Sequence, residues 1–130
     1  MVDAHWLDES RHPIWIQTIP EAPELDEFMG AFEHFDRRIR EAATRTERLG
    51  LVVDMRKYGM GTSIQRQRAA KTNELAERLL GSRILGQAVV MESAMQRGAL
   101  TAVQWLARPT WPVRTFAERS EAIDWLRGLL

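Results

Sequence analysis

Two charged residues, Asp54 and Arg56, follow the apolar residues 51–53, and this is the first place in the sequence where chemistry is expected. A short apolar run that ends in a charge is typical of a buried parallel strand. Ligands of α/β sheets bind at the carboxyl ends of such strands. Glu92 and Ser93 follow a second apolar run, so we expect the same edge to carry them. The alternative is that these residues form a helix cap or a local ion pair. A paired-carboxylate mechanism would require Asp54 and Glu92 to lie close together.

The loop that follows, residues 59–63 (GMGTS), is a second candidate binding segment. Two glycines before a helix can present backbone N–H groups to an anion. The loop does not match a dinucleotide-binding motif, because Ile64 stands where the third glycine belongs, and it has no Gly-Lys-Ser/Thr phosphate motif. Met60, Thr62 and Ser63 are therefore candidate binding residues. The alternative is a flexible connection in which Thr62 or Ser63 caps the next helix.

Several other chemistries find no support in the residue types. His5, His12 and His34 lie on different predicted elements and lack metal-ligand spacing, so neither a metal nor a cofactor is expected. The absence of cysteine excludes a disulfide and a thiol nucleophile. No Gly-x-Ser-x-Gly motif of a serine hydrolase occurs. We therefore predict no catalytic residue.

Two further groups of side chains point to binding. A basic helix face fits an acidic partner or, alternatively, a solvated face paired with Glu74 and Glu77; it comprises Arg66, Arg68, Lys71 and Arg78. Tryptophans and methionines on the predicted strands and helices form the second group: Trp6, Trp15, Trp111, Met29, Met55, Met60, Met91 and Met95. They could line a pocket for a small molecule or lipid, form a dimer interface, or belong to the core.

The elements that must position these residues follow from periodicity and breakers. Strands are predicted at residues 3–8, 13–19, 51–55, 84–91 and 111–116, and the first two form a hairpin whose first strand lies at the sheet edge. Pro112 places the last strand at an edge too. Helices are predicted at residues 23–47, 63–80, 94–107 and 118–128.

The helices carry apolar stripes. Leu25, Phe28, Phe32, Phe35 and Ile39 mark the first one, which Gly50 is expected to stop. Weaker stripes include Ile64, Leu75 and Leu79 in the second helix, Met95, Ala99, Val103 and Leu106 in the third, and Ala122, Ile123, Leu126 and Leu129 in the fourth. Alternating helices and strands predict an α/β fold with a mostly parallel sheet.

Length and composition suit one soluble domain, residues 1–130, with 45% hydrophobic residues. Lysine plus arginine and aspartate plus glutamate both total 18, so nucleic acid is not an expected partner. No run is long enough to span a membrane, and the N-terminus lacks the apolar core of a signal peptide. We therefore expect a cytoplasmic protein.

Three segments, taken in this order, resemble the SpoIIAA-like fold group and its bacterial STAS/SEC14 domain-containing members. They are residues 51–56 (LVVDMR), residues 96–106 (QRGALTAVQWL), and residues 113–116 (VRTF) with 121–126 (EAIDWL). The resemblance implies a four- or five-stranded sheet and a non-enzymatic regulatory module that binds a protein partner, with a homodimer as one form. SEC14-like relatives bind lipids, which is the alternative function.

The resemblance also implies a regulatory serine. In anti-sigma-factor antagonists of the STAS kind, a serine at the start of the helix after a central strand is phosphorylated. Ser63 aligns with that serine and Asp54 with the aspartate that ends the strand. The family's Asp-Ser-Ser-Gly sequence is absent, because Thr62, Ile64 and Gln65 surround Ser63. Ser63 is thus a candidate phosphorylation site on the condition that its side chain is exposed.

Overall fold

The computed structural model describes residues 5–59, 61–106 and 108–130, without the side chains of residues 99 and 104–106. Five strands and four helices lie within these residues. The order is β1 (Leu7–Arg11), β2 (Ile14–Thr18), α1 (Leu25–Thr44), β3 (Leu49–Asp54), α2 (Ser63–Leu79), β4 (Ile84–Val90), α3 (Ala94–Leu106), β5 (Val113–Phe116) and α4 (Arg119–Leu129), with a short 3₁₀ turn at Gly81–Arg83.

The strands form one sheet in the order β1-β2-β3-β4-β5. Only the β1–β2 hairpin is antiparallel, and the other three pairings are parallel. The α/β fold with a five-stranded, mostly parallel sheet is therefore confirmed, as are the edge positions of the first and last strands. Asp54 pairs with Thr18 on one side and Val90 on the other, so these three residues mark the carboxyl edge.

The helices cover the two faces of the sheet unequally. α1 packs on α2 and α2 packs on α3, whereas α4 packs alone against β3, β4 and β5. Because strand side chains alternate between faces, Ile14, Val52 and Ala88 pack with α4. Trp15 and Leu51 point the other way and pack with α1 and α2. The molecule therefore has two cores, one on each side of the sheet.

The long helix α1 buries its aromatic stripe as predicted, because the fourfold and threefold spacing places these residues on one face. Phe28, Phe32, Phe35 and Ile39 are buried. Leu25, at the first position of the helix, is largely exposed and does not extend the stripe. The helix ends at Thr44 rather than at residue 47, since the chain turns at Thr46 with a φ of +56°.

Gly50 was wrongly expected to stop α1. It lies inside β3, beside Gly86 of β4, and both face the α4 side chains. A Cβ atom on Gly50 would lie 3.3 Å from the Leu126 side chain, and one on Gly86 would lie 2.9 Å from Trp125 and Leu129. The two glycines therefore allow α4 to approach the sheet closely.

The first strand is also displaced from its predicted position. β1 begins at Leu7 and ends at Arg11, three residues beyond the predicted end at residue 8. Its polar residues are accommodated because Glu9 accepts two hydrogen bonds of 2.7 Å from Arg38 of α1. Residues 1–4 lie outside the described residues, so that part of the predicted strand is untested.

Two predicted helix stripes were partly wrong. Ile64 of α2 and Met95 of α3 are among the most exposed large apolar side chains, at 56% and 64%. Both lie in the first turn of their helix, beyond the end of the sheet, so there is no strand beneath them to cover them. Leu129, in the last turn of α4, is also exposed, at 40%, although its side chain lies close to Gly86 of β4.

Candidate functional site

Asp54, the last residue of β3, is 4% exposed and is surrounded by hydrogen-bond donors. Arg56 donates to Oδ1 from Nε at 3.1 Å and to Oδ2 from Nη2 at 2.9 Å. Its backbone N–H also donates to Oδ1, at 3.2 Å. Arg119, at the start of α4, donates to Oδ2 from Nη2 at 2.8 Å and from Nε at 3.3 Å. Two guanidinium groups therefore hold this carboxylate.

The charge balance determines what Asp54 can do. Burial acts to raise the pKa of its carboxyl, but the hydrogen bonds from Arg56 and Arg119 outweigh burial, and the pKa lies below its usual value. An ionised carboxylate whose oxygens are already occupied is a weak proton acceptor. The geometry therefore matches the local ion pair that was the alternative to a ligand-binding role, and it favours a structural role for Asp54.

Arg119 connects three elements at the carboxyl edge. Its Nη2 lies 3.0 Å from Oγ1 of Thr18 in β2 as well as 2.8 Å from Asp54 in β3. Nη1 of Arg56 lies 3.7 Å from the carboxylate of Glu118, the residue before α4. Arg119 did not emerge from the sequence, because it is far along the chain and has no local motif that marks it.

The glycine loop adopts the ordinary capping arrangement. Gly59 and Gly61 have φ values of +81° and +66°, which glycine adopts without strain. Thr62 caps α2, since its Oγ1 accepts from the backbone N–H of Gln65 at 3.2 Å while Gln65 Oε1 accepts from Thr62 N at 3.0 Å. This capping box confirms Thr62 as the cap. Met60, the remaining loop candidate, lies outside the described residues.

Ser63 is the first residue of α2, and its side chain is exposed. The capping bond is made by Thr62, so the cap does not require the Ser63 hydroxyl. Arg66, one turn further along, donates from Nη1 to the carbonyl oxygen of Gly61 at 3.2 Å. The Ser63 side chain is thus accessible, which was the condition for its being a phosphorylation site.

The start of α3 contains a buried residue that sequence analysis missed. Ser93 caps the helix, as expected, by accepting from Gln96 N at 3.2 Å. The Gln96 side chain then accepts from Glu92 N at 2.6 Å and donates to the carbonyl oxygens of Met55 and Arg56, at 2.6 and 3.1 Å. Gln96 therefore links the loops after β3 and β4. A glutamine three residues after a serine cap was the available signal.

A polar cleft of about 320 Å³ lies at the same edge. Arg56, Glu92, Arg97 and Glu118 line it, together with Thr115 and Phe116 of β5. The structure thus brings Arg56 and Glu92 to one surface, as predicted. Asp54 is not among the lining residues, so Asp54 and Glu92 do not form a paired-carboxylate site.

An apolar cavity of about 90 Å³ lies on the face of the sheet opposite to α4, between the sheet and helices α1, α2 and α3. Its lining is mainly aliphatic and aromatic and includes Ile19, Phe28, Phe32, Val53, Met55, Val89 and Leu100. Trp15 and Trp111 do not line this cavity and are buried in the core, which was one of the three predicted alternatives. Phenylalanines of α1 supply the aromatic surface instead.

The basic face of α2 is smaller than predicted. Arg68 donates from Nη2 to Oδ2 of Asp36 in α1 at 2.7 Å and from Nη1 to Thr72 at 3.0 Å, so it belongs to a helix–helix contact. Glu77 accepts two hydrogen bonds from Thr110. The exposed cations of this face are therefore Lys71 and Arg78.

The described residues offer neither a metal site nor a membrane-spanning helix. The rings of His5 and His34 stack with their centroids 4.6 Å apart. This contact joins the segment before β1 to helix α1. In residues 5–59, 61–106 and 108–130, no cluster of three or more histidine, aspartate or glutamate side chains has the geometry to hold a metal ion. Within this part of the chain, no helix is long and apolar enough to cross a membrane.

Comparison with known proteins assigns the family. Residues 19–127 match the sequence profile of the SpoIIAA-like family, which covers most of the 130 residues. No curated protein and no solved structure matches the chain. The matched region begins directly after β2, and it includes Asp54, Val90, helices α1–α3 and most of α4. The chain therefore belongs to the SpoIIAA-like family, whose domains are of the STAS type.

Proposed function

We propose that this STAS-type domain is a non-enzymatic regulatory module that binds a protein partner through the carboxyl edge of its sheet. The observation that carries the proposal is the exposure of two large apolar side chains at that edge, Ile64 and Met95. Exposed apolar side chains set among polar ones are typical of protein contact surfaces. Family membership supports the same role.

The topology places Ile64 and Met95 at the same end of the molecule. α2 follows β3 and α3 follows β4, and these two strands are parallel neighbours. α2 and α3 also pack on the same face of the sheet. Charged residues of both signs, Glu92 and Arg97, flank Met95 in the chain and line the polar cleft. Exposed apolar side chains with charged residues near them match the composition of a transient protein interface.

The arrangement around Asp54 supports binding rather than catalysis. The carboxylate is fully engaged by Arg56 and Arg119, and these bonds fix the loop after β3 against α4. A rigid edge reduces the entropy that is lost when a partner docks. We therefore assign Asp54 and Arg56 to support of the binding edge, with Glu92 and Ser93 beside it and Thr62 and Met60 in the adjoining loop.

We further propose that phosphorylation of Ser63 regulates this edge. A phosphate there adds about −1.5 to −2 charges next to Ile64 and would weaken an apolar contact. The positive end of the α2 dipole and Arg66 would stabilise the modified residue. Ser63→Glu should weaken partner binding, whereas Ser63→Ala should leave it intact. Equal binding by both variants would remove this part of the proposal.

The direct test is site-specific photo-crosslinking in cells. A photoreactive amino acid is placed at Ile64, at Met95, or, as a control, at exposed Arg127 in the last turn of α4. A discrete crosslinked product is expected from the first two positions and not from the third. A product of twice 15.0 kDa would identify a homodimer as the partner. No discrete product, or the same product from all three positions, would contradict the proposed interface.

Two further parts of the proposal concern context. We propose that residues 1–130 act as one domain, for which limited proteolysis should yield no stable smaller fragment. We also propose a cytoplasmic location, with which the cysteine-free sequence is compatible. Cell fractionation tests it, and recovery in a membrane or extracytoplasmic fraction would contradict it.

A second candidate function is the binding of a small molecule or lipid. The apolar cavity between the sheet and helices α1–α3 favours it, because cavities lined by apolar side chains with few polar groups are typical of ligand sites. Val53 is only half-buried although β3 is the central strand, so the cavity communicates with the surface. Tyr58, Gln65 and Arg66 line one end of the cavity, so the cavity adjoins the proposed partner-binding edge.

A further inference from the structure

The cavity contains a buried hydrogen-bond donor without a partner. Gln17 lies in β2 and is 3% exposed, and its side chain lines the cavity. Nε2 of Gln17 has no hydrogen-bond partner among the residues that the structure describes. A buried amide that is left unpaired destabilises a protein by about 1–3 kcal/mol. Such a group in a folded domain therefore calls for an acceptor that the described residues do not supply.

Most of the other polar side chains that line the cavity already make hydrogen bonds. Oε1 of Gln65 accepts from the Tyr58 hydroxyl at 2.5 Å and from Thr62 N, and Oε1 of Gln87 accepts from Trp111 Nε1 at 3.0 Å. The hydroxyl of Thr72 donates to Asp36 at 2.7 Å. The donor of Gln17 thus stands apart from these bonded groups.

The surroundings of Gln17 disfavour an ordered water as its partner. A buried water molecule is usually held by two to four polar groups. Phe28, Phe32, Phe35, Leu51 and Val53 line the same space and offer no hydrogen bond. An apolar molecule with one acceptor atom would accept the hydrogen bond from Nε2 of Gln17, and its apolar part would fill the rest of the cavity.

Size and charge narrow the class of ligand. A cavity of about 150 Å³ holds benzene, so the smaller volume of about 90 Å³ encloses a short chain, or part of a ring or of a longer molecule that extends through the opening. An ionised carboxylate would be costly here, because one amide donor does not compensate for its lost hydration. A neutral carbonyl or ether oxygen does not carry that cost.

We propose that the cavity binds a small neutral molecule with an apolar body and one acceptor oxygen, which accepts a hydrogen bond from Nε2 of Gln17. This inference rests on the second candidate function, ligand binding, and adds the chemistry of the ligand and the residue that selects it. It does not depend on the protein partner or on Ser63.

The test compares two probes of nearly the same shape, cyclopentanone and methylenecyclopentane. Each is titrated into isotope-labelled protein while two-dimensional NMR follows the backbone amides and the side-chain amide of Gln17. We expect the ketone to bind about fivefold more tightly than the hydrocarbon, which is the value of one neutral hydrogen bond. The ketone alone should shift the Gln17 side-chain resonances strongly.

Variants locate the effect. Gln17→Leu should abolish the preference for the ketone, whereas Gln67→Leu, the same change at an exposed position of α2, should retain it. The comparison of the two probes on the unmodified protein needs no variant to fold. Equal binding of both probes to that protein overturns the assigned chemistry and leaves ligand binding in place. Binding of neither probe at the cavity residues overturns both.

Discussion

Nη2 of Arg119 lies 2.8 Å from Oδ2 of Asp54, so the first turn of α4 is ion-paired to the end of β3, 65 residues earlier in the chain. The same Nη2 reaches Thr18 of β2. One guanidinium therefore joins the second strand, the central strand and the last helix at the carboxyl edge. This geometry favours a structural role for Asp54 at the edge where we propose that a partner binds.

Replacing Asp54 with asparagine should lower the free energy of unfolding near neutral pH by about 2 kcal/mol. This loss is smaller than the roughly 3–5 kcal/mol of a fully buried ion pair, because both arginines are partly exposed and regain water. Urea unfolding of Asp54→Asn and the unmodified protein measures the difference. Asp124→Asn, an exposed residue of α4 that lies 4.0 Å from Arg127, is the matched control and should change stability little.

The Asp54 contribution should also depend on pH with a defined sign. The pKa of this carboxyl is lowered in the folded protein, so its stabilisation is complete above the unfolded value of about 4 and is lost as the pH falls through the folded pKa. The stability difference between the unmodified protein and Asp54→Asn should therefore shrink in acid. A difference that stays constant down to the acid transition would contradict the role of the ion pairs.

Gly86→Ala and Gly30→Ala should change stability in opposite directions. A Cβ on Gly86 would lie 2.9 Å from Trp125 and Leu129, so α4 must move, and we expect a loss of about 1–3 kcal/mol. A Cβ on Gly30, inside α1, meets nothing within 4 Å, and alanine is the better helix former by about 0.5–1 kcal/mol. Thermal unfolding of both variants tests this, and a stabilising Gly86→Ala would show that α4 does not pack as described.

Thr72→Val should destabilise the contact between α1 and α2 by about 1–2 kcal/mol. The Thr72 hydroxyl donates to Asp36 and accepts from Arg68, and valine preserves the shape while removing both bonds. Thr101→Val is the control, since exposed Thr101 bonds only to a carbonyl of its own helix. Chemical unfolding measures both, and equal effects of the two substitutions would refute a special role for the Asp36–Arg68–Thr72 cluster.

Tyr58 provides a spectroscopic test of the loop, because it is the one tyrosine in the sequence. Burial raises the pKa of its hydroxyl to about 12, and the nearby Arg66 offsets burial only in part. Rapid pH jumps, followed by tyrosinate absorbance before the protein unfolds, should give a midpoint near that value. The unfolded protein in denaturant should titrate near 10. A rapid midpoint near 10 in the folded protein would contradict the packing of Tyr58 on the loop.

The same shift predicts lower stability in alkali. Between about pH 10 and the folded pKa, the unfolded chain has lost the tyrosine proton while the folded chain keeps it, so stability falls as the pH rises. Tyr58→Phe should lack this component. Unfolding experiments at increasing pH distinguish the two proteins, and identical pH dependence would contradict the prediction.

Local rules predicted much of the fold. The bounds of α2 followed from a polar cap and a helical pattern, and Ser93 was identified as a cap because its role depends only on its neighbours. The parallel sheet followed from strands that alternate with helices. Each of these features is decided within a few residues of chain.

Features that depend on distant residues could not be predicted in this way. Gly50 has the local signature of a helix stop, but the close approach of Leu126 from α4 decides its role. Arg119 and Gln96 become important only when α4 and α3 reach the end of β3. Gln17 looked like an ordinary strand residue, because its unpaired amide is visible only beside the cavity.

The central claim, that Ile64 and Met95 belong to a partner-binding edge, is tested most directly by native mass spectrometry of the protein purified gently from its own cells. We expect a defined complex or dimer heavier than the 15.0 kDa chain, and its loss in the double variant Ile64→Asp, Met95→Asp. Lys71→Asp, which changes charge on the exposed face of α2, should retain the complex. A bare chain in every sample, or a complex that survives the double variant, would contradict the claim.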